Sequence, residues 1–337
     1  LIHVTDRDPA FASRALPAAR AYARIAPESE HALHMPSHVF LPLGLWDDVS
    51  SANERSWSAS RRWVAAHQRS GGDLDFHSLS WLEYAYLQEG RWRAARALLD
   101  STRAVLAGAD LAGAEHVDAR YALSTLSALY AGETGRWSDA VPPPMTSAKP
   151  SNFRELSFAR DAEENRLVAA AHRADTASLA QAITTLRAAA DSMDMPPMKR
   201  WMNMGALKLE ALLAHARGQD GRAIDLARQA GEIEDIFPPV GPAPLPVARE
   251  LMGELLLAGG HPAEAAQQYE LVLSHTPNRS AALLGLARAR AAAGESAAAG
   301  EAYRRLLANW HAADADLPAL AEVRRGARAV RTTASTH

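Results

Sequence analysis

The chain has 337 residues, of which 48% are hydrophobic, and it carries a formal net charge of -3 at pH 7. This apolar content excludes a disordered chain, and the interleaved acidic and basic residues exclude the concentrated positive charge that nucleic-acid binding requires. Cysteine is absent, which excludes disulfides, thiolate nucleophiles and cysteine-ligated metals. A metal site in this chain would therefore use histidine, aspartate or glutamate.

Apolar residues recur with the helical period throughout, and Ala, Leu, Arg and Glu dominate, which predicts an all-α fold. No apolar run reaches the roughly 20 residues of a membrane helix, so we expect no membrane insertion. The chain begins at Leu1 within a stretch that reads as helix, and we therefore expect further residues upstream. A cytoplasmic or an exported soluble protein fits the sequence equally well.

Residues 1–140 predict degenerate helical repeats. A Gly-Xaa-Trp triplet begins at Gly44, Gly90 and Gly135, with spacings of 46 and 45 residues. Each glycine marks a turn between two helices, and we interpret the three tryptophans as core residues between successive hairpins.

The remainder of the chain predicts three further parts. Residues 151–236 predict a middle group of helical repeats, and residues 245–316 predict C-terminal repeats. Residues 317–337 predict a capping helix followed by a frayed tail. Proline-rich connectors at 142–150 and 237–246 separate these groups, because consecutive prolines cannot continue a helix.

The repeat length is clearest near the C-terminus, where pairs of identical residues lie 34 positions apart. This is the period of tetratricopeptide repeats. Within the first of these units, Gly253 and Tyr269 fall where the two helices of such a repeat touch, and Pro277 ends the second helix. The pairs are Gly260 and Gly294, Ala265 and Ala299, and Tyr269 and Tyr303.

Residues 31–40 (HALHMPSHVF), 81–88 and 277–288 resemble a group of bacterial tetratricopeptide-repeat proteins. The resemblance spans nearly the whole chain and implies a right-handed superhelical solenoid of antiparallel helix-turn-helix repeats, with a concave groove. In that group, further repeats precede the point where this chain starts. The resemblance implies no particular biochemical activity.

The histidines are the sharpest local signal. His31, His34 and His38 are spaced i, i+3 and i+7, so one helix face presents all three imidazoles. By the resemblance these positions line the concave groove, His77 takes a groove position in the next repeat, and His3 would project from the preceding one. All five are candidate ligands for a divalent transition metal, zinc or iron.

Two features leave the histidine interpretation open. The spacing also fits solvated groove residues that hydrogen-bond to nearby backbone, and no His-Glu motif of a known metalloenzyme accompanies it. Pro36 lies between His34 and His38, and a proline inside a helix predicts a kink that would separate them.

Four residues are candidates for binding a partner in the groove: Tyr84, Glu250, Glu254 and Arg288. Glu254 and Arg288 are 34 residues apart and take equivalent positions in successive repeats. Alternating charges can hold an extended peptide, but the interpretation we favour for the three charged residues is a ladder of salt bridges between repeats.

The leading hypothesis from the sequence is an interaction scaffold that binds a peptide or protein partner in its concave groove, with no turnover. The alternative is a metal-binding protein, or a metal-dependent enzyme, that uses the histidines on the concave face. The sequence predicts no cofactor besides this metal.

Overall fold

The structure is a computed structural model that describes residues 9–22, 24–111, 114–142, 153–173, 176–192, 194–236, 241–242 and 246–329. Within these ranges all regular elements are helical and no strand occurs. The prediction of an all-α fold is therefore confirmed. The tail at 330–337 and most residues of the two proline-rich connectors lie outside the described residues.

The chain divides into two compact units, and the first comprises residues 1–166, 240–244 and 312–314. Short 3-10 turns at Leu41–Leu43, Gly71–Asp73, Ala114–His116 and Trp137–Asp139 link several of its helices. Helices that are neighbours in sequence pack on each other. The helices are α1 (Pro9–Tyr22), α2 (Glu30–His34), α3 (Ser37–Phe40), α4 (Trp46–Ala66), α5 (Phe76–Gln88), α6 (Trp92–Leu106), α7 (Val117–Thr134) and most of α8 (Phe153–His172).

The second unit holds the remainder of the chain. From α9 onward each helix packs on the next one along the chain. The helices are α9 (Thr176–Asp191), α10 (Pro196–Ala216), α11 (Asp220–Ile236), α12 (Ala248–Ala258), α13 (Pro262–His275), α14 (Ser280–Ala292), α15 (Ser296–Asn309) and α16 (Leu320–Ala329).

The turns of the second unit show why the 34-residue spacing exists. Gly260 and Gly294 adopt φ angles of 79° and 80°, in the left-handed region that side chains other than hydrogen disfavour. Each glycine ends one helix and lets the next begin two or three residues later. The predicted breaks therefore come from a conformation that glycine adopts without strain.

Tyr269 fills the space between three helices of the second unit. Its side chain is buried, and a Cβ atom placed on Gly253 or Gly285 would lie 2.8 Å or 2.3 Å from the ring. Because no side chain fits there, α12 and α14 approach α13 closely through these glycines. The prediction that small residues and an aromatic meet between the helices holds at this contact.

None of the described helices is both long and apolar enough to span a lipid bilayer.

We predict that Gly285→Ala lowers the free energy of unfolding by about 1–3 kcal/mol, because the new methyl group would displace Tyr269 from a packed core. Gly221→Ala is the control, since open space surrounds this position in α11 and alanine is a better helix former than glycine. Urea unfolding monitored by circular dichroism measures both effects. Equal stability of the two variants would contradict the packing described for Tyr269.

Candidate metal site

The chain stays helical through the proline between two of the candidate histidines. Helix α2 begins after Ser29, whose Oγ accepts a hydrogen bond from the backbone N–H of Ala32 at 3.4 Å. Met35 (φ -48°, ψ -37°) and Pro36 (φ -58°, ψ -26°) keep right-handed helical angles. Pro36 thus interrupts the hydrogen bonds between α2 and α3 without turning the backbone away. The prediction that a kink separates His34 from His38 is wrong, because their ring centroids are 5.0 Å apart.

Three histidines converge on one point in the first unit. In the described part of the chain, one ring nitrogen from each of His34, His38 and His77 lies within 4.8 Å of the other two. The Nε2 atoms of His34 and His38 are 3.1 Å apart, and the His34 and His77 ring centroids are 4.7 Å apart. Two nitrogens bound to a tetrahedral zinc ion at about 2.0–2.1 Å are about 3.3–3.4 Å apart, so this separation is close to that of a metal-bound pair.

The cluster has an aromatic wall and one open side. His34 and His38 are buried, whereas His77 reaches solvent. The indole of Trp81 contacts both buried rings, with centroid distances of 5.0 Å to His34 and 4.5 Å to His38. Water and ions therefore reach the cluster from the side of His77.

The environment keeps the imidazoles in the form that binds metals. Burial lowers the pKa of His34 to about 4, and the neighbouring His77 lowers it further, against a raising effect of the hydrogen bond to Asn53. Desolvation also lowers the pKa of His77, although one edge of its ring reaches solvent, and the negative charges of Asp75 and Asp118 oppose this shift. Both rings are neutral at pH 7, with a nitrogen lone pair available.

Sequence reasoning missed a residue that touches the cluster. Asn53, on α4, is fully buried, and its Oδ1 lies 2.7 Å from Nδ1 of His34. An outer partner of this kind fixes the orientation of a metal-binding histidine. A single asparagine inside a long helix carries no spacing signal that links it to a histidine 19 residues earlier.

The other two candidate ligands lie elsewhere. His31 is exposed on α2 and is outside the group of converging nitrogens, although its charge would lower the pKa values of His34 and His77. His3 lies outside the described residues. The structure therefore brings together His34, His38 and His77 of the five predicted ligands.

Two of the predicted groove residues are not available to a partner. Tyr84 is only 1% exposed and packs edge-on against Trp46, with ring centroids 5.8 Å apart. Glu250 is also buried, and its carboxylate accepts two hydrogen bonds, of 2.6 Å and 2.8 Å, from the buried guanidinium of Arg279. The groove assignment is wrong for Tyr84 and Glu250, because one is a core aromatic and the other is half of a buried ion pair.

The other two groove candidates reach solvent, in a pattern different from the predicted salt-bridge ladder. Arg288 binds Glu322 through hydrogen bonds of 2.9 Å and 2.8 Å, so its partner lies 34 residues ahead of it and is not Glu254. Desolvation by the surrounding protein, followed by repulsion from Glu250, raises the pKa of Glu254 to about 7. This shift occurs although the Glu254 side chain is exposed at one end.

Helix α5 also carries a second ionisable group that sequence reasoning missed. Glu83 is fully buried, and neither of its carboxylate oxygens has a hydrogen-bond partner among the described residues. Burial raises the pKa of Glu83 well above its ordinary value. The side chain is therefore a neutral carboxylic acid where most helices would place an apolar residue.

The histidine cluster suits one class of metal ion. Neutral imidazoles bind zinc, copper, nickel and iron in preference to calcium or magnesium, which require oxygen ligands. Neither protein-family models nor curated proteins match this chain. The function proposed below follows from the positions and the chemistry of its own residues.

We predict that Glu83→Gln makes the protein more stable than the wild type at pH 8 but not at pH 4. The folded state keeps the Glu83 proton above pH 4.5 while the unfolded chain releases it, so the stability of the wild type falls as pH rises, by up to about 1.4 kcal/mol per pH unit. Glutamine has no proton to release. Urea unfolding at several pH values measures the difference.

Glu232→Gln, at an exposed position of α11, controls for the change from acid to amide. A Glu83→Gln variant whose stability relative to the wild type is the same at pH 4 and pH 8 would show that Glu83 is ionised in the folded protein.

Proposed function

We propose that this protein binds a divalent transition-metal ion through His34, His38 and His77. The observation that carries the proposal is the convergence of three ring nitrogens within 4.8 Å of one another. Two neutral imidazoles buried side by side, with their Nε2 atoms 3.1 Å apart, make a weak structural contact, since one shared proton is all that joins them. A metal ion between these nitrogens would bind all three rings.

The ligand set favours zinc over iron. Three protein ligands and one open position are typical of catalytic zinc sites, whereas non-haem iron sites commonly add a carboxylate ligand. Within the described residues the converging group contains histidines alone. Asp75 and Asp118 are near enough to raise the pKa of His77, so they would also stabilise the positive charge of a bound ion.

The fold expected from the resemblance belongs to the same proposal. We infer that α12 to α16 are tetratricopeptide-like repeats of a right-handed superhelix. The 34-residue spacing of Gly260 and Gly294, and the packing of Tyr269 against Gly253, support this inference. In such repeats the first helix of each pair lines the groove, and α5, which carries His77, takes that position in its own hairpin.

We predict that the purified protein, prepared without a histidine tag, binds about one zinc ion per chain and that the His34→Ala/His38→Ala variant does not. Zinc at a hundredfold over its dissociation constant should stabilise the fold by about 2.7 kcal/mol. Elemental mass spectrometry after gel filtration measures the bound metal, and thermal unfolding with and without a chelator measures the stabilisation.

His275→Ala is the matched control, because His275 is an exposed histidine at the end of α13. Zinc binding that survives in the His34→Ala/His38→Ala variant, or that is lost in His275→Ala, would contradict the proposed site.

The binding of a peptide or protein partner is a second candidate function, which one observation favours. Glu254 and Arg288 occupy equivalent repeat positions, 34 residues apart, and both side chains reach solvent. The raised pKa of Glu254, about 7, is typical of a carboxyl group in a partly enclosed position. Such a group could contact a cationic side chain of a partner.

For this second candidate we predict a dependence on pH. A lysine- or arginine-containing peptide selected from a displayed library should bind several-fold more tightly at pH 8 than at pH 6, because Glu254 becomes an anion as pH rises through its pKa of about 7. Glu254→Gln should remove the dependence, and Glu264→Gln, on the exposed side of α13, should retain it. Equal pH dependence in both variants would exclude Glu254 from the binding surface.

A further inference from the structure

We propose that Asn53 is a positioning residue that holds His34 in one tautomer, with the proton on Nδ1 and the lone pair of Nε2 directed towards His38. The consequence for metal affinity rests on the proposed metal-binding function. The tautomer itself is a property of the metal-free protein.

The orientation of the Asn53 amide is fixed by its donor side. Nδ2 lies 2.8 Å from the backbone oxygen of Val49 and 2.8 Å from Oγ of Ser37. A backbone oxygen can only accept a hydrogen bond, so the atom facing Val49 must be the NH2 group. Because the two ends of an amide point in different directions, Oδ1 is the atom that faces His34.

The amide orientation in turn fixes the proton of His34. Oδ1 of Asn53 accepts and cannot donate, so the bond of 2.7 Å to Nδ1 of His34 requires a proton on Nδ1. A neutral imidazole carries one N–H group, and its Nε2 therefore has a free lone pair. This nitrogen is the one that lies 3.1 Å from Nε2 of His38.

The same argument describes the metal-free state of the pair. Since Nε2 of His34 accepts, Nε2 of His38 carries a proton and donates it across the 3.1 Å contact. The proton thus occupies the place between the two nitrogens that a metal ion would take. Binding a metal requires His38 to change tautomer, whereas His34 is already in the tautomer that binds.

The experiment is nitrogen-15 NMR of the imidazole rings in metal-free protein, together with zinc titration. The wild type should show His34 protonated on Nδ1. Asn53→Ala should give a mixture of tautomers and an affinity for zinc about 10–100-fold weaker, the usual effect of removing an outer partner of a metal ligand. Asn53→Asp keeps an acceptor at this position and should restore the single tautomer.

Ser37→Ala is the matched control. It removes one of the two acceptors of the Asn53 NH2 group and leaves Val49, so the tautomer and the affinity should stay close to those of the wild type. A loss of tautomer that follows from general loosening of the core would appear in Ser37→Ala as well, and would overturn the assignment to Asn53.

The wild-type spectrum alone decides the proposal if Asn53→Ala does not fold. His34 protonated on Nε2 in the wild type would overturn it, and so would a folded Asn53→Ala variant with the wild-type tautomer and affinity. A wild-type protein with the expected tautomer that binds no zinc would instead refute the proposed function and leave the role of Asn53 in place.

Discussion

A single buried hydrogen bond, from Nδ1 of His34 to Oδ1 of Asn53, sets the chemistry of the histidine cluster. It joins α2 to α4, and the same amide holds Ser37 at the start of α3. Burial of all three groups leaves each polar atom dependent on the others, because an unmet donor or acceptor in the core is costly. The direction of the His34 lone pair follows from this network, and with it the possibility of a shared metal ion.

The backbone around Pro36 makes the network possible. A proline in a helix removes one hydrogen bond, yet the helical angles at Pro36 keep His34 and His38 one turn apart. The chain is thus divided into two short helices, each held by packing on a longer one. His77 then approaches from α5 and leaves one side open to solvent. Two dry imidazoles and one wet imidazole suit a metal ion that must enter and accept a further ligand.

The sequence carried part of this arrangement. Periodicity and turn glycines predicted the helices, and the spacing of His34 and His38 together with the repeat frame of His77 indicated the cluster. Asn53 was not predictable, because its role depends on how α4 packs on α2. The buried pair of Glu250 and Arg279 was missed for the same reason: two charges 29 residues apart show no pattern in one dimension, and sequence alone does not say that both are dry.

X-ray absorption spectroscopy of the zinc-loaded protein tests the central claim most directly. The account predicts a first shell that contains three imidazole nitrogens at about 2.0–2.1 Å from zinc, with the outer-ring scattering of imidazole reduced by one ligand in a His77→Ala variant. A shell of oxygen atoms alone, or zinc that is lost on gel filtration, would contradict a metal site at His34, His38 and His77.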